Sequence, residues 1–202
     1  MKRVALVASN KEYAKVLKNN LNIYFLKFIE INIYDINDVD NFNYFREKYI
    51  ILSSYTIFQR VKNKVKKEAK LSIITLSLTK KGFDMIKNIP YNTKALLVNI
   101  DYRSCMQLIT EIFSLGIHHL DLVPYYKFGS DYNKDINIAV TPDEENIVPE
   151  DINTVINIGQ RVISFNSIIE IGMNLGIKDI INSKEIIKLK KVLLQQTTAY
   201  KQ

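Results

Sequence analysis

The chain has 202 residues, of which 47% are hydrophobic and 24% charged, and this composition excludes a collagenous or disordered protein. No apolar run approaches the ~20 residues that a membrane-spanning helix needs, and the first apolar run is too short for a signal peptide. The single cysteine, Cys105, excludes an intramolecular disulfide and a multi-cysteine metal site. It also fits a reducing compartment, so the sequence predicts a cytoplasmic globular protein.

The first part of the chain alternates between short β-branched runs and helical stretches. A helix with apolar residues at helical spacing follows the first strand, and a second helix is predicted from Tyr55 to about Ala69. The predicted strands are Arg3–Ser9, Phe28–Ile36, Tyr49–Ser54 and Leu71–Leu78.

A similar rhythm repeats in the second part of the chain. The predicted strands there are Lys94–Ile100, His119–Tyr126, Ile136–Thr141 and Arg161–Phe165. The predicted helices are Thr79–Pro90, Tyr102–Gly116, Pro149–Gly159 and Asn166–Gly176.

Strands that alternate with helices predict an α/β fold with parallel sheets flanked by helices. Two such series predict two Rossmann-like lobes, an N-terminal lobe over residues 1–78 and a C-terminal lobe over residues 79–176. Residues 177–202 are different. Their apolar residues would form one broad face of a helix, and the last residues are polar, without a glycine that could cap the helix. We expect a C-terminal helix there that leads to a missing domain or to a partner.

Polar residues follow most of the predicted strands, and ligands of open parallel sheets bind beyond the carboxyl ends of the strands. The predicted ligand-binding residues are Ser9, Asn10, Ser53, Ser54, Tyr55, Asn99, Asp101, Tyr125, Tyr126, Thr141, Asn166 and Ser167. Three of them, Ser54, Asn166 and Ser167, are also natural helix N-caps. One of the two adjacent tyrosines, Tyr125 or Tyr126, is as well suited to fill the core as to contact a ligand.

The chain lacks the usual motifs of catalysis and nucleotide binding, namely GxGxxG, GxxxxGK[ST] and GxSxG. His118 and His119 are adjacent, so they face opposite ways in a strand and are predicted to be structural. Cys105 at a helix start is predicted to pack rather than to react. The acidic run Asp143–Glu145 lacks spaced partners for a metal. We therefore predict no metal and no cofactor.

Residues 94–177 carry a family resemblance in the order of their features. A strand ending in Asn99 is followed by a helix ending in "LGI", then "PYY", "IAVTP", "VP", a segment closing in "IG", and "RVISFNSIIEI". This order resembles the N-terminal sensory region of sigma-54-dependent transcriptional activators from Firmicutes. Similarity to the sensor domain of the propionate-catabolism activator is looser and rests on the two-lobed pattern.

The resemblance implies a regulatory domain that senses a small effector and acts on AAA+ ATPase and DNA-binding domains, both absent from this chain. We expect the effector to bind in a cleft between the lobes, with Thr141 nearest to it and Asp143 and Glu144 at the rim. Closure of the cleft is expected to shift the C-terminal helix. The acidic loop is then a binding or switching loop, and the protein is not an enzyme.

Two other classes remain open. One is a small-substrate α/β enzyme that uses Asp101, Asp143 or Glu144, and the other is a module that dimerises through the C-terminal helix and a sheet edge. The net charge of +7 also raises nucleic-acid binding through Arg60–Lys70. The lysines there are instead predicted to be the solvated face of an amphipathic helix, so no contact with nucleic acid or membrane is expected.

Overall fold

The computed structural model describes residues 1–127, 131–177, 184 and 186–187. The chain has an α/β fold with two parallel four-stranded sheets flanked by helices, which confirms the predicted fold class. In chain order the elements are β1 (Lys2–Ala8), α1 (Lys11–Phe25), β2 (Ile29–Asp35), β3 (Tyr49–Leu52), α2 (Tyr55–Val61), β4 (Lys70–Ile73), β5 (Leu76–Ser77), α3 (Lys80–Lys87), β6 (Thr93–Val98), α4 (Tyr102–Ser114), β7 (Leu120–Tyr125), β8 (Ile138–Thr141), β9 (Thr154–Asn157), β10 (Val162–Ile163) and α5 (Phe165–Leu175).

The chain divides into two compact units, each built on one four-stranded sheet. The first unit holds residues 1–76 and the segment that begins at Ile163, and the second unit holds residues 77–162. The chain passes into the second unit within β5 and returns within β10. The predicted lobes differ from these units after Ile163, because α5 packs on the core of the first sheet.

The first unit has the strand order β2-β1-β3-β4, with all strands parallel. Residues of β1 are buried on both faces, which explains its unbroken apolar run. Leu6 and its neighbours on one face pack under α1 and α5. Val7 and its neighbours on the other face pack under α2 and a 3-10 turn, Ile36–Asn41.

The second unit has the strand order β7-β6-β8-β9, and its strands are also parallel. One face packs under α3 and α4, with Leu97 and Val140 in the centre of the core. Among the described residues, the other face packs Leu96, Val98 and Ala139 against connecting segments. Both sheets therefore repeat one topology, in which the first strand lies between the second and the third.

The helix predicted over Pro149–Gly159 is wrong, because residues 154–157 form strand β9 beside β8. Apolar residues in this stretch fit helical spacing, but Thr154, Val155 and Ile156 are β-branched and favour a strand. The parallel neighbour β8 supplies the hydrogen-bonding partners, beginning with the Thr154 N–H, which donates to the carbonyl of Asn137 at 3.0 Å.

The basic amphipathic helix predicted as far as Ala69 is also wrong, because α2 ends at Val61 and a 3-10 turn follows. Lys64 Nζ donates to the carbonyls of Val39 (2.9 Å) and Phe42 (2.8 Å), which ties this turn to the preceding loop. Val65 and Ala69 still reach the core, but from irregular backbone.

The predicted strand Leu71–Leu78 is divided into β4 and the two-residue β5. Most of the predicted C-terminal helix over 177–202 lies outside the described residues. Lys184, Ile186 and Ile187 are helical, and Ile186 is buried in the core of the first unit.

Candidate functional site

Each sheet has a topological switch point, at which chain connections leave in opposite directions from two neighbouring strands. The switch point lies between β1 and β3 in the first unit and between β6 and β8 in the second. Open α/β sheets bind ligands at this position, beyond the carboxyl ends of the strands. Most of the predicted ligand-binding residues fall at or next to these two places.

In the first unit, Asn10 and Ser54 at the switch point act as helix caps. Asn10 Oδ1 accepts from the Tyr13 N–H at 2.8 Å, and Ser54 Oγ accepts from the Ile57 N–H at 3.3 Å. Ser53 is buried, whereas Ser9 and Tyr55 are exposed. The side-chain oxygens of Asn10 and Ser54 already accept hydrogen bonds from helix N–H groups. A ligand at this switch point would therefore contact mainly backbone groups, exposed side chains and the Ser53 hydroxyl.

The start of α5 differs from the expected capping arrangement. Ser164 is the N-cap, and its Oγ accepts from the Ser167 N–H at 3.2 Å, so Asn166 and Ser167 lie in the first turn instead. Asn166 is exposed. Ser167 is buried and accepts from the Thr75 N–H at 2.9 Å, which anchors α5 to the chain after β4.

In the second unit, Asn99 and Asp101 follow β6. Asp101 caps α4, since its Oδ1 accepts from the Ser104 N–H at 2.7 Å. Asn99 is only 3% exposed, and its Oδ1 accepts from the Ile100 N–H at 2.9 Å. Its Nδ2 is buried and has no hydrogen-bond partner among the described residues. Buried amide groups are normally satisfied, so this donor is the clearest sign of a binding position.

The two tyrosines after β7 have different surroundings. The Tyr125 carbonyl accepts from the Asn99 N–H at 3.1 Å, and its ring packs edge-on against Tyr132 with centroids 5.4 Å apart. The Tyr126 ring lies 6.0 Å from the ring of Tyr102, near the start of α4. Tyr125 therefore supports Asn99 through its backbone, while the half-buried Tyr126 is the better placed of the two rings to meet a ligand.

The loop after β8 is held by side-chain oxygens. Thr141 is fully buried, and its Oγ1 accepts from the Glu144 N–H at 3.0 Å. Asn157 Oδ1, at the end of β9, accepts from the N–H groups of Asp143 (3.2 Å) and Gly159 (2.8 Å). Asp143 has a φ of 65°, a left-handed conformation that aspartate tolerates better than most residues. The acidic loop is thus a fixed turn with Glu144 half-buried.

Two carboxyl groups of the second unit are harder to ionise than usual. Burial raises the pKa of Glu144, with a further contribution from the charge of Asp143, while the charge of Arg161 opposes the shift. Burial also raises the pKa of Glu111 on α4, although the Leu78 N–H and the charge of Arg161 favour its charged form. Arg161 therefore lies within electrostatic range of both carboxyls.

Sequence reasoning missed Glu111, Asn157 and Arg161. Asn157 lies at the carboxyl end of β9 and Arg161 follows it, but residues 149–159 were predicted to be a helix and Arg161 was predicted to begin the next strand, so neither was considered as a strand-end residue. The sequence "TVIN" carried the signal that could have found Asn157, since three β-branched residues precede the asparagine. Glu111 lies on the last turns of α4, and only the tertiary structure places it near Arg161.

The remaining candidates for chemistry have structural roles. Burial raises the pKa of the Cys105 thiol to about 11, and its Sγ lies within hydrogen-bonding distance of the Leu97 and Tyr125 carbonyls. His119 Nε2 donates to the Ile89 carbonyl at 3.0 Å, and His118 stacks on a phenylalanine ring. No group of three potential ligands in the described ranges has the geometry to hold a metal ion.

An open cavity of about 380 Å³ in the first unit was also missed. Its lining includes Arg3, Arg46 and Glu47, which belong to the amino end of β1 and to the loop before β3. Its lining contains none of the predicted ligand-binding residues, which lie at or after the carboxyl ends of strands. Nothing in the periodicity of the loop marks Glu47 as a buried carboxylate.

Comparisons of the chain with protein-family models, curated proteins and solved structures found no match. The family resemblance of residues 94–177 therefore stays a prediction. None of the helices in the described part of the chain combines the length and apolar character needed to span a membrane.

Proposed function

We propose that this chain is the effector-sensing domain of a bacterial transcription regulator of the sigma-54-dependent type. The ligand-binding part of the proposal is supported by one observation, the buried Nδ2 of Asn99 without a partner among the described residues. A buried donor left unpaired costs about 1–3 kcal/mol, and a ligand oxygen that accepts from it removes that cost. The regulatory part is supported by the resemblance of residues 94–177 to the sensory regions of such activators.

The charged groups of the second unit indicate the kind of effector. A guanidinium at Arg161 and an amide donor at Asn99 favour a carboxylate, while the carboxyl of Glu144 favours a donor group on the same molecule. The class that meets these demands is a small hydroxy or amino acid. An effector of this kind acts on AAA+ and DNA-binding partner domains only if it binds one of two conformational states of the sensing domain more tightly than the other. We expect a coupling free energy of about 1–3 kcal/mol.

Thermal unfolding against a panel of organic acids, amines and amino acids tests the binding claim. A ligand at 100 times its dissociation constant adds about 2.7 kcal/mol, which raises the midpoint by about 5–10 °C for a chain of this size. Asn99→Asp replaces the donor by an oxygen of nearly the same shape and is expected to abolish the shift. Asn137→Asp, at the amino end of β8, is the matched control and is expected to keep it.

An equal shift of the unfolding midpoint in both variants contradicts the assignment of the site. If no compound of the panel raises the midpoint of the native protein, the proposed effector class is wrong. Mass spectrometry of the effector after incubation with the protein separates a sensor from an enzyme. A sensor leaves the effector unchanged, whereas an enzyme converts it to a product.

A small-substrate enzyme is the second candidate, and the raised pKa values of Glu111 and Glu144 favour it. A carboxyl whose pKa is raised by burial is better suited to act as a general acid than a fully solvated one. Consumption of a panel compound by the native protein, lost in Glu144→Gln and kept in Glu145→Gln, would establish this activity. Glu145 is the exposed neighbour in the same loop, so it controls for the change of charge.

A further inference from the structure

The cavity of the first unit has a buried carboxylate in its wall. Glu47 is 7% exposed, and its Oε1 accepts from Asn32 Nδ2 at 2.7 Å and from the Tyr34 hydroxyl at 3.0 Å. The same hydroxyl lies 3.1 Å from Oε2, and burial raises the pKa of Tyr34 to about 12, so the phenol stays protonated. A carboxylate has about four acceptor positions, so Oε2 keeps capacity for a further donor.

Two guanidinium groups line the same cavity. Arg3 and Arg46 are exposed, and neither side chain forms an ion pair or a hydrogen bond within the described part of the chain. Glu47 also forms no ion pair with either of them, although all three residues line one space. The forked donors of two guanidinium groups suit a phosphate, and neither group is taken up by an ion pair with Glu47.

Aromatic rings complete the lining. Tyr34, Phe42 and Phe45 pack edge to face, with centroid distances of 5.6, 5.4 and 5.0 Å, and form a rigid wall. Tyr44 is 54% exposed and has no ring partner among the described residues. Such rings offer flat faces on which a planar ligand stacks.

We propose that this cavity binds a purine mononucleotide. The base stacks on the aromatic rings, its amino group donates to Glu47, and its phosphate lies on Arg3 and Arg46. A cavity of ~150 Å³ holds one benzene ring, so the larger space here accommodates a two-ring base with its sugar. A free aliphatic amino acid fits less well, because it offers no planar ring to the aromatic residues of the lining.

Isothermal titration calorimetry of the full chain with AMP and GMP tests this assignment. The expected result is saturable binding of at least one of them, weakened about tenfold or more in Arg46→Gln and Glu47→Gln because each variant removes a charge-assisted hydrogen bond. Arg60→Gln, at an exposed arginine outside the cavity lining, is expected to leave the affinity unchanged. Adenosine and inorganic phosphate, each lacking half of the ligand, are expected to bind more weakly than AMP.

Absence of binding at millimolar AMP and GMP overturns the proposal, as does binding that Arg46→Gln and Glu47→Gln leave unchanged. Stronger binding of p-aminobenzoate or an amino acid, sensitive to Arg46→Gln, overturns the choice of ligand. Asn99→Asp in the second unit is expected to leave nucleotide binding unchanged, so this test is independent of the effector site. Circular dichroism of each variant checks that it is folded.

Discussion

Replacing Gly82 by alanine tests the close packing of α3 against the end of β9. A Cβ at this position lies 2.8 Å from the Ile158 carbonyl oxygen and 3.4 Å from Thr79 Oγ1. The Ile158 backbone resists displacement, because its N–H donates to the Thr141 carbonyl at 2.9 Å. Overpacking costs about 1–3 kcal/mol, and the upper part of this range, about 2–3 kcal/mol, applies here because the crowded atom belongs to the backbone rather than to the end of a flexible side chain. The better helix propensity of alanine returns ~1 kcal/mol of it. We expect a net loss of about 1–2 kcal/mol.

For a chain of this length, that loss lowers the unfolding midpoint by about 2–8 °C, measured by circular dichroism. Lys81→Ala is the matched control, since Lys81 is the exposed neighbour on the same helix and its replacement is expected to change stability by less than ~0.5 kcal/mol. A Gly82→Ala protein as stable as the native chain, beside an unchanged control, would refute the claim that the approach to Ile158 is rigid.

Three further predictions concern the second unit. At pH 7 a disulfide reagent is expected to label Cys105 at least ~100-fold faster in urea than in the folded protein, because burial suppresses its thiolate, and equal rates would contradict this. Folding raises the pKa of Glu111, so the protonated carboxyl stabilises the folded state. This stabilisation is complete below the usual glutamate pKa of about 4.3 and is lost as the pH rises through the raised pKa of the folded state. Glu111→Gln is therefore expected to be more favourable at pH 7 than at pH 4 in urea unfolding, and the reverse order would refute it. Asp101→Ala is expected to cost about 1 kcal/mol through loss of the α4 cap, and Asp101→Asn clearly less, in the same assay.

The strand ends of the second unit were largely predictable from sequence. The apolar runs before Asn99 and Thr141 are buried in parallel strands, and local pattern carries that information. The run before Asn157 was misread because its apolar residues also fit helical spacing, although its three β-branched residues favour the strand that pairs with β8. That error hid Asn157 as a strand-end residue.

The cavity of the first unit could not be predicted from local pattern. Arg3 and Glu47 are more than forty positions apart in the sequence, and the loop that carries Glu47 has no period that distinguishes a buried carboxylate from an exposed one. The contact from Asn32 to Glu47 joins a strand to this loop, so it arises only once the sheet and the loop have packed.

The most direct test of the central claim is an NMR titration of the 15N-labelled chain that follows the side-chain amide of Asn99, assigned with the help of Asn99→Asp. The account predicts that a small hydroxy or amino acid shifts this resonance saturably, because the buried Nδ2 gains an acceptor, while the amide of Asn137 stays in place. Saturable binding of such an acid that shifts other resonances and leaves the Asn99 amide unmoved would contradict it.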